Sequence, residues 1–108
     1  MTERTKTHID HYDLVTLTVD EQPVVFTTAT IVEETIWVEG VNQWVLGGTG
    51  WHGQIVWDIY APGIVHTEMP RKFSGQTAKG QALEGHFMIT QSHIRGVDFD
   101  GSGILTVS

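Results

Sequence analysis

The sequence predicts an all-β protein that forms a small antiparallel barrel of about eight strands. Apolar and polar residues alternate along short runs rich in β-branched side chains, and turn-forming residues separate these runs roughly every 8 to 12 residues. No window fits an amphipathic helix well. The best contender, residues 78–91, contains Gly80 and Gly85, each of which costs a helix about 1 kcal/mol relative to alanine. The 12 glycines of the chain suit the tight corners of a small barrel.

The individual strands follow from this alternation. In the first run, Val15, Leu17 and Val19 fall on one face of a strand and the residues between them on the other. Pro23 lacks a backbone donor and marks a strand edge or start, and residues 40–42 form a turn. The predicted strands are residues 13–19, 24–32, 35–39, 43–46, 54–60, 64–69, 81–91, 94–99 and 103–107. The predicted breaks include turns at residues 33–34, 47–53 and 100–102 and a long loop at residues 70–79.

A chain of 108 residues fits one domain. We place a single β-barrel domain at residues 11–108, preceded by a flexible N-terminal arm at residues 1–10. The chain contains no cysteine, which excludes disulfides, zinc–thiolate sites and cysteine nucleophiles. No apolar run approaches the ~18 residues of a membrane span, and residues 1–7 lack the apolar centre of a signal peptide. These features predict a cytoplasmic protein that does not bind a membrane.

The charge balance argues against a nucleic-acid partner. Thirteen acidic residues against six basic ones give a formal net charge of −7, whereas phosphate binding requires clustered Lys and Arg. The basic pair Arg71-Lys72 is predicted to lie in a solvated turn. The six histidines show no recognised metal-ligand spacing. The sequence therefore predicts neither a metal site nor a cofactor.

Residues 43–69 are the predicted ligand-binding region. They hold three of the four tryptophans and two of the six histidines around a glycine-rich turn, and glycine lets the backbone approach a ligand closely. Aromatic and titratable groups beside such a bend favour a binding site. We therefore predict that Trp51, His52, Trp57 and Tyr60 bind the substrate. His52 is expected at the mouth of the barrel; the alternative is an exposed loop histidine.

Acid–base chemistry is predicted for the hairpin that follows the glycine-rich turn. In one register Trp57 faces Glu68; after a shift of one residue, Asp58 faces His66 instead. Either register places an acid beside His66, and a carboxylate next to an imidazole raises its pKa and orients it for proton transfer. We predict His66, Glu68 and Asp58 as catalytic residues if this face lines the barrel interior. If the face is exposed, they form ordinary cross-strand pairs.

The run Leu46-Gly47-Gly48-Thr49-Gly50, followed by Gly53-Gln54-Ile55-Val56, resembles the glycine signature of the dirigent and allene oxide cyclase-like barrels. In that superfamily a Gly-Gly-Thr-Gly turn is followed by an aromatic residue, here Trp51, and then by a strand that begins with glycine. The resemblance covers about a dozen residues; this chain has two fewer residues before Gly53 and is shorter than a typical member. It implies an eight-stranded antiparallel barrel, often trimeric or dimeric. Its cavity would steer the closure or coupling of a reactive hydrophobic substrate, usually without a metal. A lipocalin-like barrel is the alternative, with no motif to support it.

Residues 98–103, Asp-Phe-Asp-Gly-Ser-Gly, match the first six positions of an EF-hand calcium loop. The bidentate Glu expected at position twelve would be residue 109, and no helix is predicted before the loop. Asp-Gly between apolar residues is also a hairpin signal. The sequence therefore favours a hairpin turn at Asp100-Gly101-Ser102 over a calcium site.

Two classes of function follow from these features. One is a cofactor-free cyclase or isomerase that acts on a small hydrophobic substrate in the barrel cavity. Secondary metabolism is one setting for such an enzyme. In this hypothesis Trp51 and Trp57 shape the cavity, and His66 with Glu68 or Asp58 moves protons. The other is a non-catalytic binding module for an apolar small molecule or a protein partner. Strand edges must be covered, which predicts a homo-oligomer.

Overall fold

A computed structural model describes residues 4–57 and 69–108. Within these two ranges the chain consists of β-strands and their connections, with no helix. The all-β prediction is therefore confirmed for this part of the chain. The strands are β1 (Thr5–Val19), β2 (Gln22–Pro23), β3 (Thr28–Glu39), β4 (Trp44–Val56), β5 (Arg71–Thr77), β6 (Ala82–His93) and β7 (Gly96–Val107).

The strands form one antiparallel sheet in the order β2-β1-β3-β4-β7-β6-β5. Strand β1 also pairs with β5, at the opposite end of this order, so the sheet closes into a partial ring. Along its length β1 changes partner: it pairs with β3 as far as Asp13 and with β5 from Leu14. A register shift between Leu14 and Thr16 marks the change, as expected for a β-bulge that bends a strand. A closed barrel of about eight strands, lipocalin-like or allene oxide cyclase-like, stays a prediction.

Three strands continue beyond the ring. Strand β7 pairs with β4 only from His52 to Val56, whereas β3 and β4 pair along their full lengths. The start of β1 pairs with β3 on the edge opposite to β4. We call this three-stranded part the extension; it comprises residues 5–10, 33–39 and 44–50. The molecule is elongated, with dimensions of 52, 30 and 20 Å.

Side chains on the inner face of the ring form the hydrophobic core. Alternate residues point inward along each strand, as the two-residue period of a β-strand requires. Four aromatic rings meet there: the ring centroid of Phe87 lies 4.7 Å from that of Phe99 and 5.9 Å from that of Phe73, and the centroid of Trp51 lies 5.4 Å from that of Phe73. The other buried apolar residues are Leu14, Leu17, Val19, Ala29, Ile31, Ile55, Trp57, Leu83, Ile89, Val97 and Leu105.

Several predicted breaks lie inside continuous strands. Strand β4 runs through residues 47–53, β7 runs through residues 100–102 and β3 runs through residues 33–34, so the predicted turns at these positions are wrong. Residues 98–103 accordingly lie within β7 and do not form a calcium-binding loop or a hairpin turn. Residues 70–79, predicted as a loop, contain β5. Strand β1 begins at Thr5, inside the segment predicted as a flexible arm.

Packing between strands explains why glycine occurs within them. A Cβ atom on Gly53 would lie 2.5 Å from Cζ of Phe99, and one on Gly101 would overlap the indole ring of Trp51. Both approaches are well inside van der Waals contact, so only glycine leaves room for these rings. The sequence shows the glycines but not the rings, from neighbouring strands, that require them.

Other turns lie where the sequence places them. The Gly40 N–H donates to the Gln43 carbonyl at 2.7 Å, and Asn42 has a φ of 63°. Between β1 and β2, Asp20 and Glu21 have φ angles of 51° and 68°, the pattern of a type I′ hairpin turn. The predicted strand at residues 81–91 is also found, as β6. Local chemistry therefore fixes these features without help from the rest of the chain.

Candidate functional site

Four of the predicted site residues lie outside the described residues. They are Asp58, His66 and Glu68, predicted as catalytic, and Tyr60, predicted to bind the substrate. Their roles stay predictions. The remaining predicted site residues belong to β4 or follow it directly.

Trp51 and His52 are neighbours on β4 and point to opposite faces of the sheet. Trp51 points inward and is 6% exposed. Its indole Nε1 donates a hydrogen bond to the Gly103 carbonyl at 3.0 Å, and its ring lies against Gly101 and Phe73. The Trp51 side chain is therefore part of the core, and its contact with a substrate stays a prediction.

Trp57 directly follows β4 and is also buried, with 3% of its surface exposed. Its backbone N–H donates to the Arg95 carbonyl at 2.8 Å, which holds the end of β4 against the turn between β6 and β7. Its side chain belongs to the hydrophobic core. Contact between Trp57 and a substrate stays a prediction.

His52 is exposed on the outer face of the sheet, where two grooves adjoin. The ring groove, of about 420 Å³, lies over the ring beside Asp98. The extension groove, of about 320 Å³, follows the extension beside Glu34 and Ile36. His52 and Asp100, which are paired across β4 and β7, line both grooves. The outer surface of β4 is thus concave along much of its length, with His52 at the junction.

Glycine forms the floor of the extension groove. Gly48 and Gly50 alternate with Thr49, so both lie on the outer face. A Cβ atom on either glycine would meet nothing within 4 Å, in contrast to Gly53 and Gly101. Glycine within a strand costs roughly 0.5 to 1 kcal/mol relative to alanine, and it often marks a place where a ligand or another backbone comes close. These two glycines are the clearest functional signal in the described chain.

The two grooves are acidic. Glu34, Asp98 and Asp100 line them, and no Lys or Arg of the described ranges does so. Asp98 also pairs with His93, whose Nε2 lies 3.0 Å from the carboxylate Oδ2. Ile36, which is 41% exposed, provides apolar contact beside the glycine floor. A ligand in the extension groove therefore meets bare backbone, an apolar side chain and hydrogen-bond acceptors.

A second polar cluster lies on the opposite, inner face of the extension. Asp10, Glu33 and Trp51 form one row across β1, β3 and β4. Partial burial, and then the neighbouring Asp10 carboxylate, raise the pKa of Glu33 above its ordinary value. Burial, and then Asp10 and Glu33, also raise the pKa of Tyr12. His8 completes the cluster, with its Nε2 3.1 Å from Oδ1 of Asp10. This row concentrates negative charge at the point where the extension meets the core.

Sequence reasoning identifies His52 but not its neighbours in the grooves. Glu34 falls in a predicted turn and Asp100 in a predicted hairpin, so the pattern assigns neither to the face of a sheet. The available signal is the order Gly48-Thr49-Gly50, because alternate glycines on a strand leave one face bare. Recognising it requires β4 to be seen as a single strand.

Comparisons with protein-family models, with curated proteins and with solved structures find no match for this chain. In the described ranges, no group of three or more His, Asp or Glu side chains is placed to hold a metal ion. No helix in those ranges is long and apolar enough to cross a membrane. Resemblance to the dirigent and allene oxide cyclase-like barrels stays a prediction. The case for a site at β4 comes from its geometry alone.

Proposed function

We propose that this protein is a non-catalytic binding module that holds a flat, largely apolar small molecule in the extension groove. The observation that carries this proposal is the bare floor formed by Gly48 and Gly50, for which the packing of the described chain gives no reason. Exposed strands favour β-branched and aromatic residues. A strip of backbone without side chains lets a flat ligand lie in van der Waals contact with the strand.

The lining residues favour a ligand with an apolar body and a cationic or hydrogen-bond-donating end. Ile36 offers apolar contact beside the floor, and the carboxylates of Glu34 and Asp100 accept hydrogen bonds or pair with a cation. The net charge of −7 attracts a cation and repels an anion over longer distances. The acidic lining therefore selects ligands by charge, and the glycine floor selects ligands by their flat shape.

Binding of thioflavin T, a flat cationic dye, tests the proposal. We expect a saturable rise in dye fluorescence with the wild-type protein and much weaker binding of the anionic apolar dye ANS. In the Gly50→Val variant the new side chain covers the floor, so we expect the dissociation constant to rise at least about tenfold, equivalent to about 1.4 kcal/mol. Thr49→Val keeps the Thr49 backbone that lines the groove and changes only a side chain that points to the inner face. It is the matched control and should bind as the wild type does.

Equal affinity of the wild type and Gly50→Val for thioflavin T would remove the extension groove as the binding site. Circular dichroism of both valine variants checks that the strands are intact. The solution mass of each variant checks that the same assembly is compared. Loss of binding in Thr49→Val as well would mean that the inner face, not the groove, contacts the dye.

A cofactor-free cyclase or isomerase is a second candidate function, and the burial of Trp57 favours it. This residue, predicted to shape a cavity, is 3% exposed. In this proposal the partial ring is part of a closed barrel of about eight strands, and His66 with Glu68 or Asp58 moves protons on a small hydrophobic substrate. The enzyme hypothesis would replace the binding module if His66→Ala abolished turnover while the substrate still quenched tryptophan fluorescence.

The cytoplasmic location also stays a prediction.

A further inference from the structure

The outer edge of β4 is open in the extension. Within residues 4–57 and 69–108, β4 pairs with β7 only from His52 onward, so residues 44–51 pair with β3 on one side and with no strand on the other. Backbone N–H and C=O groups along that side point out of the sheet. An open edge of this kind accepts another strand through backbone hydrogen bonds.

The two edges of the extension differ in charge. Strand β1 carries Lys6 and Asp10 along its edge, and charged side chains are a common protection of edge strands. Strand β4 contains no Asp, Glu, Lys or Arg. Its Val45 and Leu46 are 48% and 53% exposed. Strand β4 thus brings no charged side chain of its own to its edge, and a β-bulge at Gly47 interrupts its pairing with β3.

We propose that the β4 edge pairs with the β4 edge of a second copy of this chain, antiparallel and about a twofold axis. A chain of net charge −7 is repelled by its own copies, and β4, unlike β1, adds no Asp or Glu of its own to that repulsion. A twofold contact uses the same patch on both copies. It therefore covers part of the exposed apolar surface of Val45 and Leu46 on both chains.

The second copy also extends the site. Gly48 and Gly50 lie on the strand that forms the open edge, so pairing brings the glycine floors of two β4 strands side by side in one continuous sheet. This contact goes beyond the proposed function and does not depend on it, because the pairing needs no ligand.

Sedimentation velocity over a series of protein concentrations tests the pairing. We expect the wild type to show twice the 12.0 kDa mass of one chain and to dissociate on dilution. Leu46→Lys places a positive charge on the β4 edge of both copies and should raise the dissociation constant of the dimer at least about tenfold. Thr7→Lys adds the same charge to the β1 edge and, as the matched control, should leave the dimer unchanged. A wild type that is monomeric at every concentration overturns the proposal, and so does a dimer that only Thr7→Lys disrupts.

Cross-linking gives a second test that does not depend on the folding of Leu46→Lys. Because the chain has no cysteine, Thr49→Cys and Thr7→Cys each provide a single thiol, on the β4 edge and on the β1 edge. We expect a short bis-maleimide to link Thr49→Cys into dimers and to leave Thr7→Cys as monomers. Equal cross-linking of the two variants, or a ladder of larger species, overturns a twofold contact at β4.

Discussion

Gly53 in the ring half of β4 and the pair Gly48 and Gly50 in its extension half occur for opposite reasons. In the ring half, Gly53 lies under Phe99, where a Cβ atom would come within 2.5 Å of the ring. In the extension half, Gly48 and Gly50 have open space where a Cβ atom would be. One strand thus combines a glycine that packing demands with glycines that packing does not explain. Counting glycines therefore does not distinguish those that packing requires from those that are candidates for binding. The space around each Cα atom does.

Removing one tryptophan from each region should give the largest contrast. Trp51→Ala leaves a cavity beside Phe73 and removes the hydrogen bond to Gly103, so we expect the free energy of unfolding to fall by about 3 to 5 kcal/mol. Trp44→Ala removes a half-buried ring whose centroid lies 4.6 Å from the Lys6 ammonium, and we expect a loss of about 0.5 to 1 kcal/mol. Urea denaturation followed by circular dichroism measures both values. Equal losses would show that the extension is packed as tightly as the ring.

Glycine-to-alanine substitutions should give the next largest difference in stability between the two halves of β4. In Gly53→Ala the new Cβ atom clashes with Phe99, and in Gly101→Ala it clashes with Trp51, so we expect each variant to lose about 1 to 3 kcal/mol. Gly48→Ala is the matched control and should be at least as stable as the wild type, because its Cβ atom meets nothing within 4 Å. Melting temperatures rank the three variants. A Gly53→Ala variant that melts with the wild type would contradict the assignment of Gly53 to packing.

Filling the groove floor should stabilise the protein slightly. We expect Gly50→Val to raise the free energy of unfolding by about 0.5 to 1 kcal/mol, because valine favours the strand conformation and has open space here. Urea denaturation provides the measurement, with Thr49→Val as the control for strand propensity. A gain in stability together with a loss of dye binding would identify a position that serves binding at the expense of the fold. A less stable Gly50→Val variant would show that this face is covered by other atoms.

The smallest expected effect concerns Glu33, at the boundary between the extension and the ring. Because its pKa is raised in the folded state, the folded protein binds that proton more tightly than the unfolded chain does. This contribution to stability is fully present below the ordinary glutamate pKa of about 4.3 and is lost as the pH rises through the higher folded pKa. Above its folded pKa the ionised Glu33 faces Asp10 across the strands, and like charges directly opposite each other destabilise a sheet.

We therefore expect Glu33→Gln to be a few tenths of a kcal/mol more stable than the wild type at neutral pH. Its stability should also fall less as the pH rises above about 4.3. Urea denaturation at a series of pH values provides the test. Asp20→Asn is a control of opposite sign, since the hydrogen bond from Arg71 holds the pKa of Asp20 below its ordinary value. Identical pH profiles for Glu33→Gln and the wild type would exclude Glu33 as a source of pH dependence.

The sequence predicts the strand class and several turns because both depend on local chemistry. It fails where residues typical of turns lie inside strands, as Glu33-Glu34, Gly53 and Gly101 do. Their conformation is set by partner strands that are far away in the sequence. Trp51, for example, packs against the strand that contains Gly103, 52 residues away. A local sequence pattern does not identify a partner strand that is so far away in the chain.

The candidate site is predictable only in part. Sequence reasoning finds His52 because glycines surround it, but the groove also needs Glu34 of β3 and Asp100 of β7. Sheet register brings these side chains to one face, and a shift of one residue would send them to the other. Gly48 and Gly50 have no side chains that could reveal the register of β4. The site therefore becomes visible only once the strands are paired.

The change of partner along β1 has a consequence for the order of folding. Strands β3 and β4 are joined by the tight turn at residues 40–43 and form a local hairpin. By contrast, the β1–β5 pairing brings together Thr18 and Ser74, 56 positions apart, whose hydroxyl oxygens lie 2.6 Å from each other. Hairpins form in about 1 to 10 μs, whereas distant pairings first require a long loop to close. We expect the extension to form early and the β1–β5 closure to limit the folding rate, so the last step completes the core.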